Sequence, residues 1–106
     1  MVNRGDVYLV ALDPTLGREI KKTRPALVVS PDEMNHGLLT AIIAPMTTKA
    51  HAYPTRVALT FQGKRGFIVL DQVRTVDRVR LVKKLGTVQG ATMTRALTVL
   101  QEMFAW

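Results

Sequence analysis

Apolar residues in this chain come in short runs instead of at helical spacing, and each run is closed by residues that turn or break the backbone. Val7-Tyr8-Leu9-Val10-Ala11-Leu12 follows the turn Arg4-Gly5-Asp6 and reads as a first strand, rich in residues that suit a pleated surface. Asp13-Pro14-Thr15-Leu16-Gly17 then turns the chain into a charged loop, Arg18 to Arg24. Ala26 to Ser30 reads as a buried strand entered through Pro25, which has no N–H for a sheet ladder and suits the first residue of a strand. This placement holds Arg24 just outside the apolar run. Pro31-Asp32-Glu33 predicts the first turn of a short helix that Asn35-His36-Gly37 ends.

Further along, Leu38 to Ala44 is a third strand stopped by Pro45, and Arg56 to Thr60 alternates as a half-buried strand should. Gly63-Lys64-Arg65-Gly66 predicts the hairpin to Phe67-Ile68-Val69-Leu70, a strand continuing through Val73. Thr75-Val76-Asp77 predicts a helical turn, Arg80 to Leu85 a strand, and Gly86 with Gly90 a turn. Thr92 then caps a helix that aligns Met93, Ala96, Leu97, Leu100 and Phe104 on one face, with Trp106 packing at its end. Met46 and Met93 read as core fillers. With no repeat or linker, residues 1–106 form one mainly β domain with minor α. Five or six short strands make a small curved barrel whose open face the C-terminal helix plugs.

Composition narrows what such a barrel does. A chain of 106 residues with 47% hydrophobic content buries roughly two thirds of the surface its unfolded form exposes. It has no cysteine, which removes disulfides and thiol chemistry and fits a reducing compartment, and neither His36 nor His51 stands at metal-ligand spacing. No apolar segment approaches the ~20 residues of a membrane span, and the N-terminus lacks a signal-peptide pattern, so the expected location is the cytoplasm. Fifteen lysines and arginines against eight carboxylates give a formal net charge of +7, which points to phosphate or to an acidic protein. Arg78, Arg80, Lys83 and Lys84 read as a solvated face or a track for an RNA backbone. Aromatic residues make up only 6%, too few for a base-stacking platform, so charge and hydrogen bonds carry more of the recognition.

Four polar residues stand where loops meet apolar strands: Glu19, Arg24, Thr47 and Asp71. Each has an ordinary structural role open to it. Glu19 can neutralise its basic loop, Thr47 can cap the turn after Pro45, and Asp71 with Gln72 can bond to backbone at a sheet edge. Strand ends converge in small barrels, however, and a carboxylate, a guanidinium and a hydroxyl around one phosphate form an acid–base site without metal. Such a site suits RNA cleavage by internal attack of the 2′-hydroxyl, giving a 2′,3′-cyclic phosphate and a 5′-hydroxyl. Glu19 is the plausible base. Arg24 would stabilise the phosphorane charge through its planar fork, and Thr47 would hydrogen-bond the phosphate.

The ordered pieces that carry this chemistry resemble the MazF/PemK family of type II toxin endoribonucleases over nearly the whole chain. They are Arg4-Gly5-Asp6-Val7, Leu12-Asp13-Pro14-Thr15 with Gly17 and Glu19, Lys22-Thr23-Arg24-Pro25-Ala26-Leu27-Val28-Val29-Ser30-Pro31, Pro45-Met46-Thr47-Thr48 and Tyr53-Pro54. Leu70-Asp71-Gln72-Val73-Arg74-Thr75-Val76-Asp77 and Leu85-Gly86 complete the series. The resemblance implies a Src-homology-three-like barrel of the CcdB/PemK type, a homodimer, no cofactor or metal, and cleavage of single-stranded RNA at short sequences. It also implies an acidic MazE-like antitoxin competing for the basic groove. By motif, the family's catalytic arginine falls on Arg24 and its threonine on Thr47. Glu19 matches a carboxylate implicated in some members, and Asp71 the acid that serves as base in the PemK-like branch. That branch has a histidine where this chain has Arg18 and an arginine where it has Val69, so Glu19 ranks ahead of Asp71. Arg18, Lys21, Lys22, Thr48, Lys49, Gln72 and Arg74 are the expected RNA-binding groups. A gyrase-poisoning toxin like CcdB and a non-catalytic RNA-binding barrel are the alternative functions.

Overall fold

The computed structural model describes all 106 residues. Its strands are β1 (Asp6–Ala11), β2 (Thr23–Val28), β3 (Thr40–Thr47), β4 (Arg56–Phe61), β5 (Lys64–Val69), β6 (Arg74–Asp77) and β7 (Leu81–Thr87). Helix α1 (Asp32–Gly37) follows β2 and helix α2 (Gly90–Met103) follows β7, with 3-10 turns at Leu70–Gln72 and Arg78–Arg80. The antiparallel sheet runs β4-β5-β3-β2-β1-β7, and β6 pairs with the first half of β3. Seven strands, against the five or six expected, curl into the small barrel that the apolar pattern predicts.

Runs without alternation belong at the centre of a sheet covered on both faces. Ala26, Leu27, Val28, Ile43 and Ala44 are all fully buried, and successive residues enter opposite cores. Leu27 and Ala44 join Val7, Ile68, Leu70 and Ala96 in one cluster. Ala26, Val28 and Ile43 join Val10, Leu12 and Val76 in the other. Helix α2 closes the first cluster with Met93, Val99, Leu100 and Met103, while Ile20, Tyr8 and Leu81 cover the second.

Both prolines lie inside strands, in place of bounding them. Pro25 is opposite Leu9 in the β1–β2 pair, and β3 runs on through Pro45 to Thr47. Their missing N–H groups act at one point: the β2–β3 ladder ends at Ala26 opposite Pro45. Beyond it the strands part, and β3 turns to β5 through Met46 opposite Ile68 and Thr47 opposite Phe67. Arg24, opposite Val10 on β2, therefore stands on one lip of the opening and Thr47 on the other. Gly66 makes the β3–β5 approach possible, because a Cβ there would come within 2.6 Å of the Thr47 carbonyl oxygen.

Other expectations shift by a few residues. The β4–β5 hairpin turns on Gln62 (φ 51°) and Gly63 (φ 79°), two left-handed residues whose twist suits a two-residue loop, so Lys64, Arg65 and Gly66 are strand residues. Strand β5 ends at Val69 and the chain reaches β6 through the 3-10 turn, since Asp71 and Gln72 are drawn into side-chain bonds described below. Thr75 to Asp77 is strand, paired to Thr40–Ile42, and the helical turn comes next, with the Asp77 carboxylate accepting from the Val79 N–H. Gly86 lies inside β7 opposite Val7, and α2 starts at Gly90 with Gln89 as its cap residue instead of Thr92. Phe104 leaves the helical path (φ −108°, ψ 7°) and falls off the apolar stripe, so it and Trp106 are exposed.

Candidate active site

Arg24 is aimed by the loop before it. Lys22 adopts a left-handed conformation (φ 70°), a strained choice for a lysine, while its carbonyl accepts from the Leu12 N–H at 2.9 Å. The Asp13 carboxylate takes the Lys22 backbone N–H and the Thr15 hydroxyl, which together hold its pKa below the ordinary aspartate value. Gln72 pins the middle of the loop: its Oε1 accepts from the Ile20 N–H at 2.6 Å and its Nε2 donates to the Arg18 carbonyl at 3.2 Å. Arg24 itself gives only its Nε–H to the Lys21 carbonyl, at 3.2 Å. Both terminal nitrogens, with four N–H groups, stay free, and no carboxylate neutralises the charge: the ion pairs in the structure are Arg56–Asp71 and Lys84–Asp6.

Across the opening, the Thr47 hydroxyl oxygen accepts from the Lys49 N–H at 3.1 Å. A hydroxyl that accepts through its oxygen still has its proton to donate, so Thr47 is set to bond an incoming oxygen. Arg24 and Thr47 line two clefts at once. The first is cationic, with Arg18, Lys21, Lys49 and Arg56 around it and Glu19 its one carboxylate. The second is largely apolar, between Met46, Leu59, Phe61 and Phe67. Glu19 is exposed, and its Oε1 accepts the Leu16 N–H within its own turn.

Asp71, expected at the site, lines neither cleft and is already engaged. Its Oδ1 accepts from Arg56 Nε (3.1 Å) and the Thr55 hydroxyl (3.0 Å), and its Oδ2 from Arg56 Nη2 (3.2 Å). Partial burial pushes this carboxyl up, and the bonds from Arg56 and Thr55 outweigh it, leaving the pKa below the ordinary value. Arg56 also donates to the His51 carbonyl at 3.0 Å and sits 5.7 Å from the Tyr53 ring centre, so the pair moulds the loop from Lys49 to Pro54.

The structure thus brings Arg24, Thr47, Glu19, Arg18, Lys21, Lys49 and Gln72 to one cleft, with Thr48 on the apolar side. It does not bring Arg74 there. That guanidinium donates to the Leu12 carbonyl at 3.0 Å and borders a separate groove beside Leu97 and Leu100. Lys22 lines neither cleft, its backbone being what shapes the turn. Arg80, expected on a solvated face, donates to the Ala11 and Asp13 carbonyls, and Lys84 pairs with the buried Asp6. Sequence reading passed over Arg56 and His51 because each stands alone along the chain, and only the fold sets them beside Asp71 and Arg24. No three His, Asp or Glu side chains converge as a metal site would require.

Comparison with known proteins decides the family. A family model described as a PemK-like, MazF-like toxin of type II toxin-antitoxin systems matches residues 3–104. The chain belongs to this family. It is similar to endoribonuclease EndoA of Bacillus subtilis (strain 168), 35% identical over 107 residues, covering 95% of this chain and 92% of that protein. It is 39% identical over 85 residues to the endoribonuclease toxin MazF of Escherichia coli (strain K12), covering 79% and 77% of the two chains. Among solved structures, MazF from Deinococcus radiodurans superposes with a TM-score of 0.87 at 26% identity, covering 99% of this chain and 97% of that one. An endoribonuclease from mycobacterial species, solved with its cognate antitoxin, gives 0.83 at 27% identity, covering 100% and 99%. The mainly β barrel with a C-terminal helix is therefore the architecture of MazF-like toxins.

Proposed function

We propose that this member of the family is an endoribonuclease toxin that cuts single-stranded RNA without a metal, at the junction of Arg24 and Thr47. The observation that carries the reading is the free Arg24 fork facing the Thr47 hydroxyl where β2 and β3 part. A scissile phosphate placed there is bound through two charged oxygens by Arg24 and one hydrogen bond from Thr47. Glu19 takes the proton of the neighbouring 2′-hydroxyl, and the 2′-oxygen attacks phosphorus. The bond to the 5′-oxygen breaks, leaving a 2′,3′-cyclic phosphate and, as that oxygen takes a proton from water while Glu19 returns its own to solvent, a 5′-hydroxyl. Arg24 acts by charge, because a guanidinium holds its proton in proteins. Asp71 is the weaker candidate for the base, since both its oxygens are bonded and its pKa is lowered.

An acidic antitoxin segment suits the same cationic cleft and would exclude RNA by occupying it. A homodimer would set two such clefts on one assembly, and an RNA target places the protein in the cytoplasm. The test is incubation of one long RNA with the protein and a chelator, followed by analysis of the ends. Cyclic phosphate and 5′-hydroxyl ends support the reading; binding without scission, or scission lost to the chelator, overturns it.

A further inference from the structure

We infer that Gln72 is a positioning residue for cleavage: its amide grips the backbone on both sides of Glu19 and sets where the proposed base stands relative to Arg24, an inference that rests on the ribonuclease reading. The Arg18 carbonyl and the Ile20 N–H belong to the two peptide units that flank the Glu19 Cα. Gln72 bonds both, donating from Nε2 to the first at 3.2 Å and accepting at Oε1 from the second at 2.6 Å. Each peptide unit is planar, so holding the units on both sides of a Cα fixes the two backbone dihedrals between them. The Glu19 carboxylate itself remains outside the grip, on the Leu16 N–H.

The rest of the loop leaves this task to Gln72. At its base the loop is closed several times over: the Leu12 N–H donates to the Lys22 carbonyl, Arg74 to the Leu12 carbonyl, and Arg80 to the Ala11 and Asp13 carbonyls. Between Pro14 and Lys21, by contrast, hydrogen bonds to the rest of the fold come from Gln72, at Arg18 and Ile20, and from Arg24 Nε, at Lys21. Leu16 to Glu19 are exposed, so packing does not replace those bonds, and Ile20 alone leans on the second core cluster. The span from Arg18 to Lys21 is tied to Gln72 at one end and to Arg24 at the other, which makes Gln72 the contact that sets the spacing of base and phosphate clamp. Gln72 is fixed in turn. It is half-buried and ends the 3-10 turn in which Leu70 is fully buried, Asp71 is paired with Arg56, and the Val73 N–H closes on the Leu70 carbonyl at 3.2 Å. Misplacing a reacting group by about 1 Å costs on the order of 100-fold in rate. Arg24, Lys49 and Arg56 stand on other elements, so the cations that hold RNA keep their places without Gln72.

The experiment measures single-turnover cleavage of one mapped RNA over a range of protein concentrations, with a chelator present, so that the saturating rate and the half-saturating concentration are read separately. Gln72→Met keeps the length of the side chain and loses both bonds. Its saturating rate should fall about 10- to 100-fold, with half-saturation within about threefold of wild type. Added to Glu19→Gln it should cost little more, because both changes act on one proton transfer. Amide exchange of the wild-type protein keeps the test open if Gln72→Met does not fold: the Ile20 N–H should exchange slowly, and the Arg18 and Lys21 N–H groups, which have no partner, fast. An unchanged saturating rate, a loss confined to the half-saturating concentration as an RNA contact would give, a loss that multiplies with that of Glu19→Gln, or fast exchange at Ile20 overturns the inference and leaves the ribonuclease reading intact. A wild-type protein that cuts no RNA overturns both, and shows this before any variant is made.

Discussion

Two neighbouring regions set a carboxylate near an arginine, Glu19 with Arg24 inside the cationic cleft and Asp71 behind the Arg56 that lines it, and they are built to opposite ends. At Asp71 and Arg56 the charges meet in a bidentate contact, reinforced by the Thr55 hydroxyl and the His51 carbonyl. At Glu19 and Arg24 they stay apart: the carboxylate turns back on the Leu16 N–H, and the guanidinium spends one N–H on Lys21 and keeps its fork open. A closed pair shapes a loop, because each guanidinium nitrogen and both carboxylate oxygens already have a partner. An open pair is left able to bind and react, and in the proposed reaction the acceptor its fork lacks is the RNA phosphate. The difference originates in the backbone, where two prolines end a ladder beside Arg24 and a two-stranded pairing holds Arg56 in β4.

Substitutions that cross this division should differ most. Arg24→Ala is expected to lower single-turnover RNA cleavage at least ~1,000-fold, beyond the ~10²–10³ of losing one donor, since it removes a charge and several donors together. Glu19→Gln should follow at about 100-fold, the low end of general base catalysis. Thr47→Ala should cost about 10- to 100-fold, the value of one hydrogen bond to a charged phosphate, and Thr47→Ser should restore most of it.

On the closed side the effect should be on stability. Asp71→Asn is expected to weaken the fold by roughly 1 kcal/mol, about 4–8 °C in Tm for a chain of this size, with a modest change in cleavage. A 100-fold loss of cleavage in the folded variant would instead make Asp71 the base. The same carboxylate gives the smallest effect, with acid. Its folded pKa lies below the unfolded value, so its contribution is complete above about pH 4 and is lost as pH falls through the lowered folded value. Thermal melts of wild type and Asp71→Asn should therefore converge in strong acid.

How much of this could be read along the chain depends on how local the cause is. Val7 to Leu12, Ala26 to Val28 and the α2 stripe through Met93, Ala96 and Leu100 announce themselves, because burial imposes a pattern within a few residues. Arg24 and Thr47 were legible as residues at strand mouths, and their ordered context named the family. The prolines misled, since an isolated proline signals a strand end, whereas here Pro25 and Pro45 face one gap inside two strands. Asp71's engagement required knowing that Arg56, fifteen residues earlier, lies alongside it. Gln72, in the cationic cleft, and Arg74, outside it, donate to the Arg18 and Leu12 carbonyls more than fifty residues away, a use that no local signal marks. The apolar cleft has no local signal either: Leu59, Phe61 and Phe67 border it only through the β4–β5 hairpin.

The central claim is that the free arginine, and not the paired one, does the chemistry. Single-turnover cleavage of one mapped RNA at saturating protein, with a chelator present, compares Arg24→Ala with Arg56→Ala directly. A loss of at least ~1,000-fold is expected for Arg24→Ala and of no more than about tenfold for a folded Arg56→Ala. Comparable losses in the two variants, or cleavage that survives Arg24→Ala, would contradict it.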